Sequence, residues 1–186
     1  TSIELSLKQS DNALLVMPLC HANSFNFFCS YILCGATITI YDKKSFDADY
    51  FFALIKKYKC TFTSLVPTHF IVIFEYLKIF KIKNPIKNEF TFMISSAPAR
   101  KDTKKSILRY FPKARLFELY GSSESGWVTM LHPEEQFKHL GTVGKECVGS
   151  NQIKILDNNM AEVEDGEIGE LYASTPYNFS HYWKNK

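Results

Sequence analysis

Apolar positions in the first two-thirds of the chain switch repeatedly between two periods. Residues 13–17 form a short apolar run closed by Pro18, and residues 36–41 alternate with period two, so both predict strands. Between them, residues 22–33 are apolar enough for a buried helix. Phe51, Leu54, Ile55 and Tyr58 recur at i, i+3, i+4 and i+7 behind Asp47 and Asp49, which predicts an amphipathic helix with acids near its positive end. Residues 61–66 predict a third strand. Pro67 suits the first position of a helix whose Phe70, Ile73, Phe74 and Leu77 share one face, and the extra apolar residues around that face imply deep burial. Residues 81–89 form a polar loop and residues 90–94 the next strand. Asp102 is placed to cap a helix running to Tyr110 before Pro112, and residues 114–119 read as a buried strand.

This alternation predicts an α/β fold: a mostly parallel sheet flanked by helices, with right-handed crossovers. After Gly141 the pattern changes. Residues 152–156 and 168–173 alternate, with turns offered by Asp157-Asn158-Asn159 and Asp165-Gly166, so the tail predicts antiparallel hairpins. The expected organisation is a partial α/β subdomain over residues 1–145, then the start of an antiparallel β-rich subdomain over residues 146–186. The sequence shows no internal repeat and no low-complexity tract.

With 186 residues and 46% hydrophobic content the chain is about one domain long and able to fill a core. A net charge of +3, with Arg100, Arg109 and Arg115 unclustered, argues against a nucleic-acid partner. Five cysteines without a C-x-x-C pair suggest neither a disulfide framework nor zinc, and read as reduced, mostly buried thiols in a cytoplasmic setting. The longest apolar run, residues 25–40, is interrupted by polar residues and falls short of the roughly 20 positions a spanning helix needs. The start has no methionine and no signal-peptide pattern. The expectation is an internal fragment of a longer protein.

Four strand ends carry small or polar residues: Cys20-His21-Ala22-Asn23, Thr68-His69, Ser95-Ser96-Ala97-Pro98, and Leu119-Tyr120-Gly121-Ser122-Ser123-Glu124-Ser125-Gly126. One such turn is ordinary, because turns favour these residues anyway. Four on one sheet edge would line a crevice where α/β proteins bind ligands. In the last turn, Tyr120 offers a ring to stack on a base, and Gly121 offers positive φ and close backbone approach. Ser122 and Ser123 offer hydroxyls to phosphate oxygens, and Glu124 offers a hard carboxylate to Mg²⁺. The plainer reading of Glu124 is a solvated turn carboxylate.

A serine-hydrolase elbow, G-x-S-x-G, competes for this turn, but Ser125 stands where the second glycine belongs. Gly141-Thr142-Val143-Gly144 lacks the lysine of a P-loop, and residues 144–149 are not a dinucleotide fingerprint. His69, His132, His139 and His181 read as hydrogen-bonded structural residues, with His21 set apart only by its place at a strand end. Trp127, Phe25, Phe27, Phe28, Phe51 and Phe52 read as core, although any of them beside the crevice could line an apolar pocket.

Taken in order, these segments resemble the adenylate-forming enzymes, the group of acyl-CoA synthetases, luciferases and peptide-synthetase adenylation domains. Tyr120-Gly121-Ser122-Ser123-Glu124 resembles its Y-G-x-T/S-E signature, Pro18-Leu19-Cys20-His21 its P-x-x-H turn, and Val66-Pro67-Thr68 its V-P-T. Ser95-Ser96-Ala97-Pro98 resembles its small-residue loop. Gly141-Thr142-Val143-Gly144 and Gly166-Glu167-Ile168-Gly169-Glu170-Leu171 resemble its G-x-V-G and G-E-x-G-E-L segments. V-P-T together with His21 is most similar to fatty or aryl acyl-CoA synthetases.

The resemblance implies a ligase that activates a carboxylic acid, on this likeness a fatty acid, with ATP as acyl-adenylate and passes the acyl group to coenzyme A. It implies catalytic roles for Ser123, Glu124 and His21, with Glu124 on Mg²⁺, Ser123 on the α-phosphate and His21 near the acyl carboxylate. It places Tyr120 and the Ser96-Ala97-Pro98 backbone at the adenine, Gly121 and Ser122 beside the phosphates, and Gly126 at the acyl tunnel. Serine at 123 replaces the commoner threonine, keeping the hydroxyl but losing a methyl that restricts the rotamer. Asn23-Ser24 stands where the family often has glycine. The family's phosphate loop, its ribose-binding aspartate and its C-terminal domain with a catalytic lysine have no counterpart in these 186 residues, so the isolated chain is expected to be inactive. Two alternatives stay open: an enzyme loading a carrier protein, and a non-catalytic acyl- or nucleotide-binding remnant. Acid chain length, oligomeric state and peripheral membrane contact are also open.

Overall fold

The computed structural model describes residues 1–150, 153–176 and 178–184. Four parallel crossovers build its main sheet: β1 (Asn12–Leu15), α1 (Ala22–Leu33), β2 (Thr37–Ile40), α2 (Ala48–Tyr58), β3 (Phe62–Leu65), α3 (Pro67–Ile79), β4 (Phe90–Ile94), α4 (Lys101–Tyr110) and β5 (Ala114–Ser122). Strand order is β2-β1-β3-β4-β5, all parallel. The chain therefore leaves β1 towards one side and later returns to its other side, which makes the β1/β3 boundary a switch point at the carboxyl edge.

Local chemistry explains the helix ends. Asp47 caps α2 by accepting the Tyr50 N–H at 3.1 Å, Lys59 closes the helix in the left-handed region, and Pro67 stands in the first turn of α3. Helix α1 covers one sheet face, packing Phe27 and Tyr31 on Phe62, Met93, Phe117 and Leu119. Helices α2, α3 and α4 cover the other, packing Phe51, Phe70, Ile73, Leu77 and Ile107 on Leu14, Leu65, Phe92 and Leu116. The expected α/β fold, a mostly parallel sheet flanked by helices with an antiparallel β unit after it, is present.

Several local expectations are corrected. Helix α4 is capped at Arg100 without a side-chain bond, and Asp102 sits inside its first turn, where a carboxylate still meets the dipole. Helix α3 buries only Phe70, Ile73 and Leu77, while Ile71 and Ile79 are exposed, so it is not deeply buried all round. Phe25 is exposed, because it falls off the stripe that points Phe27 inward. Only Cys60 and Cys147 of the five free thiols are buried, so the thiols are not mostly buried.

The larger correction lies after β4. Strand β5 continues through Ser122, then β6 (Gly126–Leu131) and β7 (Lys145–Glu146) add to the same sheet antiparallel, so antiparallel pairing starts before Gly141. A short 3-10 turn, Pro133–Glu135, follows β6. The expected hairpin is present as β8 (Ile153–Leu156) against β9 (Glu170–Ala173). Asp157 organises its first turn by accepting the N–H groups of Asn159 and Ala161 at 2.8 and 2.9 Å. Gln152, where the sequence begins that strand, and the terminal Asn185-Lys186 lie outside the described residues. Among the described residues no helix is long and apolar enough to cross a membrane.

Candidate active site

Because β1 to β5 are parallel, the turns that follow them open on one edge. Two of these turns are bonded directly: Asn23 Nδ2, at the start of α1, donates to Ser95 Oγ after β4 at 2.8 Å. Ser95 Oγ lies 3.4 Å from Ser64 Oγ on β3. The Asn23 Oδ1 atom is buried without a hydrogen-bond partner, as is His69 Nδ1. The His69 ring stacks on Phe46 at 4.5 Å, and burial lowers its pKa, which keeps the ring neutral. His21 supplies the backbone cap of α1 while its side chain, exposed at the edge, forms no capping bond. Ser96, Ala97 and Pro98 are exposed beside it, with Ser96 held at φ 66°, a conformation costly for a residue with a Cβ.

The signature segment forms the end of β5 and the tip of the β5–β6 hairpin. Tyr120 is 43% exposed, enough to present a ring face while its backbone stays in the sheet. Pairing shifts register between Tyr120 and Gly121. Gly121 does not adopt the positive φ expected of it; Gly126 does, at 69°. Gly121 is required for another reason: a Cβ there would lie 2.2 Å from the Gly126 carbonyl oxygen across the hairpin. Ser122 Oγ accepts the N–H groups of Glu124 at 3.2 Å and Ser125 at 3.0 Å, so this hydroxyl shapes the turn. Ser123 stands exposed at the tip.

Glu124 accepts a hydrogen bond from the Tyr182 hydroxyl. That bond first, then the residue's own N–H and the Ser122 hydroxyl, hold its carboxyl below the ordinary carboxylate range, so it is ionised at neutral pH. An ionised, accessible carboxylate is the donor chemistry Mg²⁺ takes from protein beside substrate phosphates. Among the described residues no group of three or more His, Cys, Asp or Glu side chains could hold a metal.

The sequence reading missed a buried ion pair beneath this segment. Lys104 Nζ on α4 donates to Glu118 Oε2 on β5 at 2.5 Å and reaches the Thr142 carbonyl at 3.4 Å. It thereby ties the Gly141-Thr142-Val143-Gly144 segment under the strand that carries Tyr120. Thr129 Oγ1 on β6 adds a bond to the Val143 carbonyl at 2.8 Å. The available signal was a lysine on the stripe of Ile107 and Phe111, and a glutamate between Leu116 and Leu119, since charged side chains are almost never fully buried unless paired. His132 bonds Glu4 at 3.0 Å, as a structural histidine should. A cavity of about 140 Å³, lined by Lys8, Tyr31, Phe90 and Arg115 among others, sits at the opposite, amino ends of the strands and takes no part in this edge.

A family model described as AMP-binding enzyme matches residues 1–183. The chain is 31% identical over 178 residues to 4-coumarate–CoA ligase 1 of Petroselinum crispum, covering 90% of this chain and 31% of that protein. It is 28% identical over 179 residues to 4-coumarate–CoA ligase 2 of Nicotiana tabacum, covering 88% and 31% respectively. Among solved structures, o-succinylbenzoate coenzyme A synthetase from Bacillus subtilis in complex with ATP and magnesium ion superposes with TM-score 0.85 at 20% identity, over 99% of this chain and 37% of that one. A long-chain-fatty-acid-CoA ligase from Archaeoglobus fulgidus gives TM-score 0.84 at 22% identity, over 99% and 38%. At these identities the solved structures speak to the fold. The chain spans about 31% of the length of the two curated relatives.

Proposed function

Because this chain belongs to the AMP-binding enzyme family, we propose that the protein carrying it is an acid–thiol ligase that makes an acyl-adenylate from ATP and transfers the acyl group to coenzyme A. The observation that carries the reading is the hairpin tip, where an exposed hydroxyl at Ser123 adjoins an ionised, accessible carboxylate at Glu124 on the sheet edge shared with Asn23, Ser95 and His21. A carboxylate and a triphosphate repel each other, so the reaction needs positive charge and hydrogen-bond donors where charge builds up. In this reading Mg²⁺, when bound, supplies that positive charge. Glu124 would hold it, Ser123 would donate to the α-phosphate, and Ser122 would fix the turn that presents both, with Gly121 allowing the hairpin to close tightly.

Tyr120 would stack on adenine beside the Ser96-Ala97-Pro98 backbone, and His21 would face the acyl carboxylate. The names of the plant relatives support an aryl acid, and the V-P-T and His21 resemblance supports an aryl or a fatty one. Five unpaired thiols support the cytoplasm as the working compartment.

The test is acid-dependent pyrophosphate release by the full-length gene product, with hydroxycinnamic and fatty acids as the panel. We expect release with at least one class. Glu124→Ala should lower it by roughly 100-fold, the scale of losing one group that stabilises transition-state charge, with acid binding nearly unchanged. Unaltered release in that variant would remove Glu124 from the site.

A further inference from the structure

Three hydrogen bonds join one downstream segment to two consecutive residues of the hairpin tip. The Phe179 N–H donates to the Glu124 carbonyl at 3.1 Å, Thr175 Oγ1 donates to the Ser125 carbonyl at 2.8 Å, and the Tyr182 hydroxyl donates to Glu124 Oε1. The partners are separated by 50 to 58 positions in sequence, so local turn chemistry does not account for them. We propose that Tyr182 is a positioning residue for Glu124, anchored at the tip together with Thr175 and Phe179. The phenol engages one carboxylate oxygen and orients the group for a magnesium–nucleotide complex.

The argument starts from the exposure of the tip. A glutamate on a hairpin turn samples several rotamers, and a metal site needs one of them. A hydrogen bond to a single oxygen selects a rotamer while the carboxylate keeps further acceptor capacity. Mg²⁺ demands near-ideal geometry, and carboxylates that ligate metals are themselves hydrogen-bonded by an outer partner. Tyrosine suits that outer role. Its neutral hydroxyl leaves the carboxylate's negative charge in place, where a lysine would neutralise it and compete with the metal. The ring of Tyr182 is steadied by Phe179, at 4.7 Å in an edge-on contact, and the backbone bond from Phe179 to Glu124 anchors that pair at the tip. Both rings remain about half exposed, at 42% and 54%, so they contribute little to the core and the Tyr182 hydroxyl can be removed without unfolding the protein.

This proposal rests on Glu124 as the metal carboxylate, and the experiment separates the two ideas. In the full-length gene product, wild type, Tyr182→Phe and Glu124→Ala are compared. The measurements are Mn²⁺ binding at fixed ATP by electron paramagnetic resonance, Mg²⁺ dependence of pyrophosphate release, acid KM and melting temperature. Tyr182→Phe should raise the metal concentration for half-saturation about five-fold, the scale of one charge-assisted hydrogen bond at an exposed site, with acid KM and melting temperature unchanged. An unchanged or lower metal requirement in Tyr182→Phe overturns the positioning role, the lower value marking Tyr182 as a competitor of the metal. A fall in melting temperature that accounts for every other change also overturns it, since that is a structural role. Metal binding unaffected by Glu124→Ala removes the underlying reading instead.

Discussion

The sharpest stability prediction concerns Lys104 and Glu118. Both side chains are almost fully buried, at 1% and 6% exposure, with 2.5 Å between Nζ and Oε2. At an effective dielectric constant of about 20, the gross attraction at that distance is about 7 kcal/mol, set against a desolvation penalty of several kcal/mol for each ion. The pair as a unit is therefore worth little compared with an apolar replacement, whereas breaking it strands a charge. Lys104→Met leaves the Glu118 carboxylate buried beside Leu116 and removes the donor from the Thr142 carbonyl. It should cost about 3–5 kcal/mol. Glu118→Leu should cost a similar amount by stranding the ammonium. The double variant should recover to within about 1–2 kcal/mol of wild type or exceed it. Urea unfolding of the full-length protein, followed by emission of Trp127, which packs against Phe27 at 5.5 Å, reads all three. Single-variant losses below about 1 kcal/mol, or a double variant equal to the sum of the singles, would refute the reasoning.

Two further outcomes follow from the same geometry. Gly121→Ala forces a Cβ to 2.2 Å from the Gly126 carbonyl oxygen, so the hairpin must open; we expect a loss of about 1–3 kcal/mol in unfolding free energy together with weakened nucleotide binding, and a wild-type melting temperature would contradict the close approach. His69 has a pKa lowered by burial, so between its folded and unfolded values the unfolded chain binds more protons and stability rises with pH. Its contribution is complete above the unfolded value of about 6.5 and declines as pH falls below it. His69→Gln should flatten that part of the profile of melting temperature against pH, and parallel profiles would show that the ring is not held neutral by burial.

The parallel half of the molecule was legible because each of its elements carries its own local signal. Residues 22–33 and 90–94 form α1 and β4 as the pattern predicts, and Pro67 and Asp47 start their helices as their chemistry requires. The antiparallel extension carried no such signal. Residues 126–131 follow a turn rich in serine and glycine without the two-residue motif that marks a tight hairpin, and their strand exists because Glu118 to Ser122 pair with them in a shifted register. A glycine in that setting reads as a ligand-approach residue, when its tightest constraint is the opposite strand.

The same logic separates the two halves of the site. Ser123 and Glu124 belong to one short segment, so their proximity follows from the chain itself. The Asn23–Ser95 bond, the Lys104–Glu118–Thr142 link and the Tyr182–Glu124 contact each depend on elements that the fold alone brings together. Sequence marks such residues only as anomalies: a lysine in an apolar stripe, an asparagine at a helix start, a tyrosine near the chain's last residues. A short motif supplies the groups that would touch a nucleotide, and distant residues set how rigidly those groups are held. Substitutions at Lys104 and Tyr182 should therefore act through stability and metal geometry.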